Sequence, residues 1–144
     1  MLFQERLWPS KGILLAASLS FPMLLLAALP FGTQAGFAVA ILGTLSLFGL
    51  LFITSPTISV DKHLKVGRMR IPLTFLASAE EIEREALRDL IGPKADARAQ
   101  LFIRGYIKTA VKIQISDPLD PTPYVVISTR RPKELAVALL ANRS

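Results

Sequence analysis

The sequence contains no cysteine and a single histidine in 144 residues. The first absence excludes disulfides, thiolate catalysis and zinc–thiolate sites, and the second excludes multi-histidine metal centres. A third absence is local: from Gly12 to Val60 there is no Asp, Glu, Lys, Arg or His. With no ionisable group, that stretch has nothing from which to build an ion or proton pathway. Aromatic residues make up 8% of the chain and are sparse among its basic groups, a poor fit to base stacking on nucleic acid.

Two apolar runs fill the charge-free stretch. Gly12 to Leu29 spans roughly 27 Å at about 1.5 Å per residue, near the lower limit for a hydrocarbon core of about 30 Å. Pro30 to Ala35 reads as a tight turn, with Pro30 and Gly32 as breakers. Gly36 to Ile53 is of similar length and ends at Thr54-Ser55-Pro56. A cleaved secretory signal competes for the first run, because Arg6 and Lys11 precede it. However, the run exceeds the usual apolar length of a signal, and a second run follows almost at once. Two such runs also disfavour a buried hairpin in a soluble protein. Residues 1–56 are therefore expected to be an N-terminal segment and a transmembrane hairpin, with helices at about 12–29 and 36–53.

Arg6 and Lys11 flank one end of the hairpin, and Lys62, Lys65, Arg68 and Arg70 follow the other. The turn between the helices has no basic residue, so the positive-inside rule puts both termini of this multi-pass protein in the cytoplasm. Trp8 suits the headgroup interface, and Pro22 is expected to kink the first helix. Gly36, Ala40 and Thr44 lie four apart with Gly43 close by, and Gly12, Ala16 and Ser20 repeat the spacing on the first helix. Small residues so placed allow close backbone approach, either between these two helices or with a partner helix.

Residues 57–144 read as a cytoplasmic α+β domain. Thr57–Val60, Leu64–Val66 and Met69–Phe75 are strand candidates, separated by turns at Asp61–His63 and Gly67-Arg68, and Pro72 confines the third to an edge or bulge. Ser78-Ala79-Glu80-Glu81 has the form of a capping box. It predicts a helix from Ala79 to Ile91, stopped by Gly92-Pro93, with Arg84 and Arg88 further along from its acids. Short strand pieces follow at Leu101–Ile103 and Tyr106–Ile107. Val111–Ser116 and Tyr124–Thr129 read as a hairpin across a proline-rich connection, and Pro132–Ala141 as a closing helix with proline in its first turn. The fold class is thus membrane α+β: a two-helix transmembrane hairpin, then a small, mostly antiparallel sheet domain with one inserted helix and a C-terminal helix. Pleckstrin-homology-like rolls share that order with other small α+β folds.

From Asp61 onward there are 15 Lys and Arg against 10 Asp and Glu, a basic excess that points to a polyanionic partner. For a tethered domain, anionic lipid headgroups are the nearest one. Lys62, Lys65, Arg68 and Arg70 are the candidate lipid or partner surface, each worth about 1 kcal/mol near an anionic leaflet; setting topology and solubility is their alternative role. Arg130 and Arg131, beside a helix start, suit an anion site or pairing with Asp117, Asp120 or the acidic helix. Asp117 and Asp120 suit a hard cation, or turns before proline. His63 falls in an exposed turn, and Ser128 and Thr129 at a strand end have no base nearby to activate them.

No catalytic constellation emerges. The expectation is a non-enzymatic membrane-anchored module with no cofactor and no metal, presented to membrane lipids or a membrane-protein partner and not to nucleic acid. The alternatives are an accessory subunit of a larger membrane complex and, more remotely, a metal-dependent enzyme on lipid-linked phosphates.

Glu5 to Pro9, Val60 to Gly67, Ile71-Pro72, Leu90 to Pro93, Asp117 to Tyr124 and Ser128 to Pro132, together with the two apolar runs, resemble an uncharacterised actinobacterial membrane-protein family. It is defined only as a domain of unknown function. The resemblance implies a bacterial inner-membrane protein of two helices and one cytoplasmic domain, and carries no activity or site residue with it.

Overall fold

The structure, a computed structural model, describes residues 2–143. It divides into a helical unit, Trp8–Ser55, and a second unit formed by the N-terminal segment through Leu7 together with the chain from Pro56 onward.

In the helical unit, α1 (Lys11–Ser18) starts at Ser10, whose hydroxyl accepts from the Ile13 amide at 3.3 Å. The helix breaks at Leu19 and resumes as α2 (Ser20–Ala28). Pro22 explains the break: it has no N–H for the Ser18 carbonyl four residues back, and its ring crowds that carbonyl. The Ser18 and Ser20 hydroxyls donate to the Leu15 and Ala17 carbonyls, each at 2.6 Å, a local bond that bends helices further. After a 3₁₀ turn, Leu29–Phe31, the chain reverses at Gly32, whose φ of 113° favours glycine. Then α3 (Thr33–Ile53) begins at once. The reversal is tighter than the expected Pro30–Ala35 turn, because residues 33–35 are already helical.

Lys11–Phe31 and Thr33–Ile53 are each 21 residues long, with mean hydropathies of 2.2 and 2.3. Both are long and apolar enough to cross a membrane. Only 11% of either apolar window is buried, whereas the core helix of a soluble protein is mostly covered.

The second unit contains two sheets. In the first, β1 (Phe3–Arg6), β2 (Thr57–Val60), β3 (His63–Val66) and β4 (Met69–Pro72) lie in that order, all antiparallel. Gly67, with φ 59°, makes the turn between β3 and β4. Pro72 falls on the edge strand β4, where a missing amide breaks no interior ladder. In the second sheet, β5 (Leu76–Ile82), β7 (Ala110–Ile115), β8 (Tyr124–Ser128) and β6 (Gln100–Phe102) follow in the order β5-β7-β8-β6. Of these pairings only β6–β8 is parallel. One core joins Ile58, Val60, Leu64 and Val66 of the first sheet to Val111, Ile113, Val125 and Ile127 of the second, with Leu135 and Leu139 of α5 (Pro132–Ala141). On the other face of the second sheet, α4 (Arg84–Ile91) lays Leu87 against Ile82, Ala110 and Val126. Helices thus lead into two mostly antiparallel sheets and a C-terminal helix, where the sequence suggests a single sheet.

Four expectations about the second unit are corrected. Residues 79–82 are not helical. Ser78 through Ile82 pair in register with Gln114 back to Ala110, so cross-strand pairing overrides local helix propensity and no capping box forms. Tyr106–Ile107 is not a strand: the Ile107 amide bonds back to the Arg104 carbonyl at 2.9 Å and closes a turn. His63 is the first residue of β3 and not part of the turn before it. The N-terminal residues, read as a polar lead to the first helix, instead supply β1.

Candidate functional site: the cationic face of the first sheet

Successive strand residues point to opposite faces, and in the first sheet this alternation separates apolar from basic side chains. Ile58, Val60, Leu64 and Val66 are at most 1% exposed and form the inner face. Opposite residues share a face, so the registers Gln4↔Ser59, Ser59↔Lys65 and Lys65↔Arg70 place these four side chains in one row on the outer face. Arg6, two residues beyond Gln4, lies on the same face. Lys62 precedes β3, Arg68 sits in the turn before β4, and both are exposed.

This face is strongly cationic. Asp61 is the only acid between Thr57 and Pro72, and Glu5 lies on the opposite side, in register with Ile58. Among the described residues, Lys62, Lys65, Arg68 and Arg70 make no ion pair. Lys65 and Arg70 are direct cross-strand neighbours, an arrangement of like charges that lowers stability. It has no structural compensation within the sheet.

Arg130 and Arg131 are placed differently. Arg131 pairs with Glu134 at 3.0 Å, donates to the Gln4 carbonyl at 3.1 Å and lies 4.9 Å over the Phe3 ring. It fastens β1 to the start of α5. The pairing foreseen with Asp117, Asp120 or the acidic helix is replaced by these contacts. Arg130 lies 5.8 Å over the Tyr106 ring, and its amide donates to Glu5 Oε1 at 3.1 Å. The buried Thr129 hydroxyl donates to Glu5 Oε2, and Ser128 Oγ accepts from the Arg104 amide at 3.0 Å. Both hydroxyls thus hold the fold together.

The carboxylates of the proline-rich connection are bound locally. Asp117 accepts from the Leu119 amide and Asp120 from the Thr122 amide, each at 2.9 Å. Hydrogen bonds from the Thr122 side chain and amide hold the Asp120 carboxyl below its ordinary pKa. No group of three His, Asp or Glu that could hold a metal occurs among the described residues.

In the helical unit, Gly36 and Ala40 are buried. A Cβ on Gly36 would stand 3.3 Å from Leu25 Cδ1, and one on Gly43 would stand 2.6 Å from Leu24 Cδ1. Thr44 Oγ1 lies 3.3 Å from Ser20 Oγ. Gly36, Gly43 and Thr44 of the small-residue stripe thus contact α2.

In the sequence, Arg6 reads as a topology signal only. Its place on the cationic face depends on β1 pairing with β2, and a four-residue strand with a partner some fifty residues away leaves no periodicity to detect.

These features define a class: a chain with two membrane-length apolar helices and an α+β domain of two sheets, one of which has a cationic outer face. More particularly, the chain belongs to the family described as protein of unknown function DUF3093, whose family model matches residues 2–139. No curated protein and no solved structure matches it.

Proposed function

We propose that this protein is a non-enzymatic, multi-pass module of the bacterial (actinobacterial) inner membrane. Its hairpin anchors a cytoplasmic domain whose first sheet meets anionic lipid headgroups. The single observation that carries the reading is the row Lys65–Arg70, flanked by Lys62, Arg68 and Arg6 on a sheet face with almost no acid. At about 1 kcal/mol per basic group near an anionic leaflet, such a face adds several kcal/mol of attraction.

The chain's connectivity supports the same reading. The Leu7 amide donates to the Pro56 carbonyl at 2.9 Å, and β1 pairs with β2 along its length. The apolar excursion therefore leaves and returns at one place, as a hairpin with both ends on one side of a bilayer requires. The basic residues at both ends make that side the cytoplasm. A cleaved signal would remove β1, and with it Phe3, Leu7 and the Glu5 contacts of the core. In outline we read the domain as a pleckstrin-homology-like roll, with the parallel strand β6 as a departure from that plan.

The test is lipid retention. The full chain, purified in a mild non-ionic detergent, should carry more anionic than zwitterionic lipid relative to the source membrane. The variant Lys62→Gln/Lys65→Gln/Arg68→Gln/Arg70→Gln should lose that enrichment while keeping its circular dichroism spectrum. Equal retention by both proteins would overturn the reading.

A further inference from the structure

A second cationic site lies on a different part of the domain and does not depend on the role of the first sheet. On α4, Arg84, Leu87, Arg88 and Ile91 follow the spacing i, i+3, i+4, i+7, so they share one helical stripe. That stripe borders a cavity of about 220 Å³ whose other wall is the chain after β6, including Ile103, Arg104 and Lys108. Four basic residues line this space, and no acid does.

The expected acidic partners of Arg84 are absent for a structural reason. Had residues 79–83 been helical, Glu80 and Glu81 would stand one turn before Arg84. They lie instead on β5, where Glu80 faces Lys112 across the strands. Among the described residues, Arg84, Arg88 and Lys108 make no ion pair.

The opposite wall is fixed in place. The Arg104 amide is held by Ser128 Oγ, the Ile107 amide by the Arg104 carbonyl, and the Thr109 hydroxyl donates to the Thr129 carbonyl at 2.6 Å. Tyr106 Oη donates to the Leu7 carbonyl at 3.1 Å. A firm backbone next to exposed, unpaired cations is pre-organised for an anion.

Ile103 and Arg104 also line a neighbouring cavity of about 460 Å³, with Leu7, Val66, Phe102 and Arg68 among its walls. A charged recess thus adjoins a more apolar one across Arg104.

We infer that the recess between α4 and the Arg104–Lys108 turn binds a phosphate group. Guanidinium groups suit it because their forked donors match phosphate oxygens and stay charged at any working pH. Both a free phosphate compound and the headgroup of an amphiphile have this chemistry; the adjoining apolar cavity would accept the tail of the second.

The test uses the full chain in non-ionic detergent and calorimetric titration with two probes, inorganic phosphate and dihexanoyl phosphatidic acid. Saturable binding of at least one probe is expected. Arg84→Gln/Arg88→Gln should weaken it by about tenfold or more, the scale of losing charge-assisted hydrogen bonds. Lys108→Gln, on the other wall, should weaken it as well. Lys133→Gln, an exposed position of α5 in neither cationic site, should leave it unchanged, which separates loss of the recess from a simple change of net charge. Tighter binding of the amphiphile assigns the site to a lipid headgroup, and equal binding assigns it to a free phosphate compound. No saturable binding of either probe, or binding indifferent to Arg84→Gln/Arg88→Gln in a protein with wild-type circular dichroism, would overturn the inference.

Discussion

Lys65 and Arg70 stand directly opposite each other on β3 and β4, without an acid to share. Relieving a like-charge cross-strand pair is worth roughly 0.2–1 kcal/mol. Lys65→Thr should therefore raise the melting temperature of the detergent-solubilised protein at low salt, threonine being a good strand residue. The same substitution should reduce anionic-lipid retention. A stability gain coupled to a binding loss is what a functional charge pair predicts, whereas a destabilised variant would mean that Lys65 serves the fold. Arg131 provides the contrast, since Glu134, the Gln4 carbonyl and the Phe3 ring all engage it. From the sequence the two kinds of basic residue look alike. Lys65 was legible because it alternates with Leu64 and Val66 next to the apolar run. Two partners of Arg131, the Gln4 carbonyl and the Phe3 ring, were not, because they come from β1, far away in sequence.

At the scale of elements, the sequence is most legible where burial has a strong local period. The two apolar helices, β2, β7, β8 and α5 fall where alternation or helical spacing puts them, and α5 spans Pro132–Ala141 as read. It is least legible where tertiary pairing competes with local preference. Ser78 to Glu81 favours a helix start by composition, but the edge of β7 is free to be paired and takes residues 78–82 into β5. That one displacement also takes Glu80 and Glu81 away from Arg84, so the proposed phosphate site is not visible in the local sequence pattern. The helix hairpin makes a prediction of its own. Gly43→Ala should be tolerated, because the group it would meet, Leu24 Cδ1, is the end of a flexible side chain. Gly43→Leu adds bulk where even a Cβ already meets Leu24 and should destabilise the hairpin by about 1–3 kcal/mol, read as a lower melting temperature in detergent. Equal stability of the two variants would show that α2 and α3 do not meet at Gly43.

For the whole molecule, the decisive arrangement is the pairing of β1 with β2. It ties the start of the chain to the strand that follows the apolar excursion, and it turns four unremarkable residues into the edge of the cationic sheet. The domain is therefore not simply appended after two helices: residues on both sides of the excursion build one sheet, and that sheet presents the basic row. The claim that this row meets anionic lipid can be tested directly, because the chain has no cysteine and a single introduced thiol can be labelled cleanly. Gln4→Cys, in the row with Lys65 and Arg70, would be labelled with a polarity-sensitive fluorophore and the full chain placed in nanodiscs. Adding phosphatidylglycerol to a phosphatidylcholine bilayer should shift the emission to the blue, and high salt or Lys65→Gln/Arg70→Gln should reverse the shift. Emission that is the same in both bilayers would contradict the account.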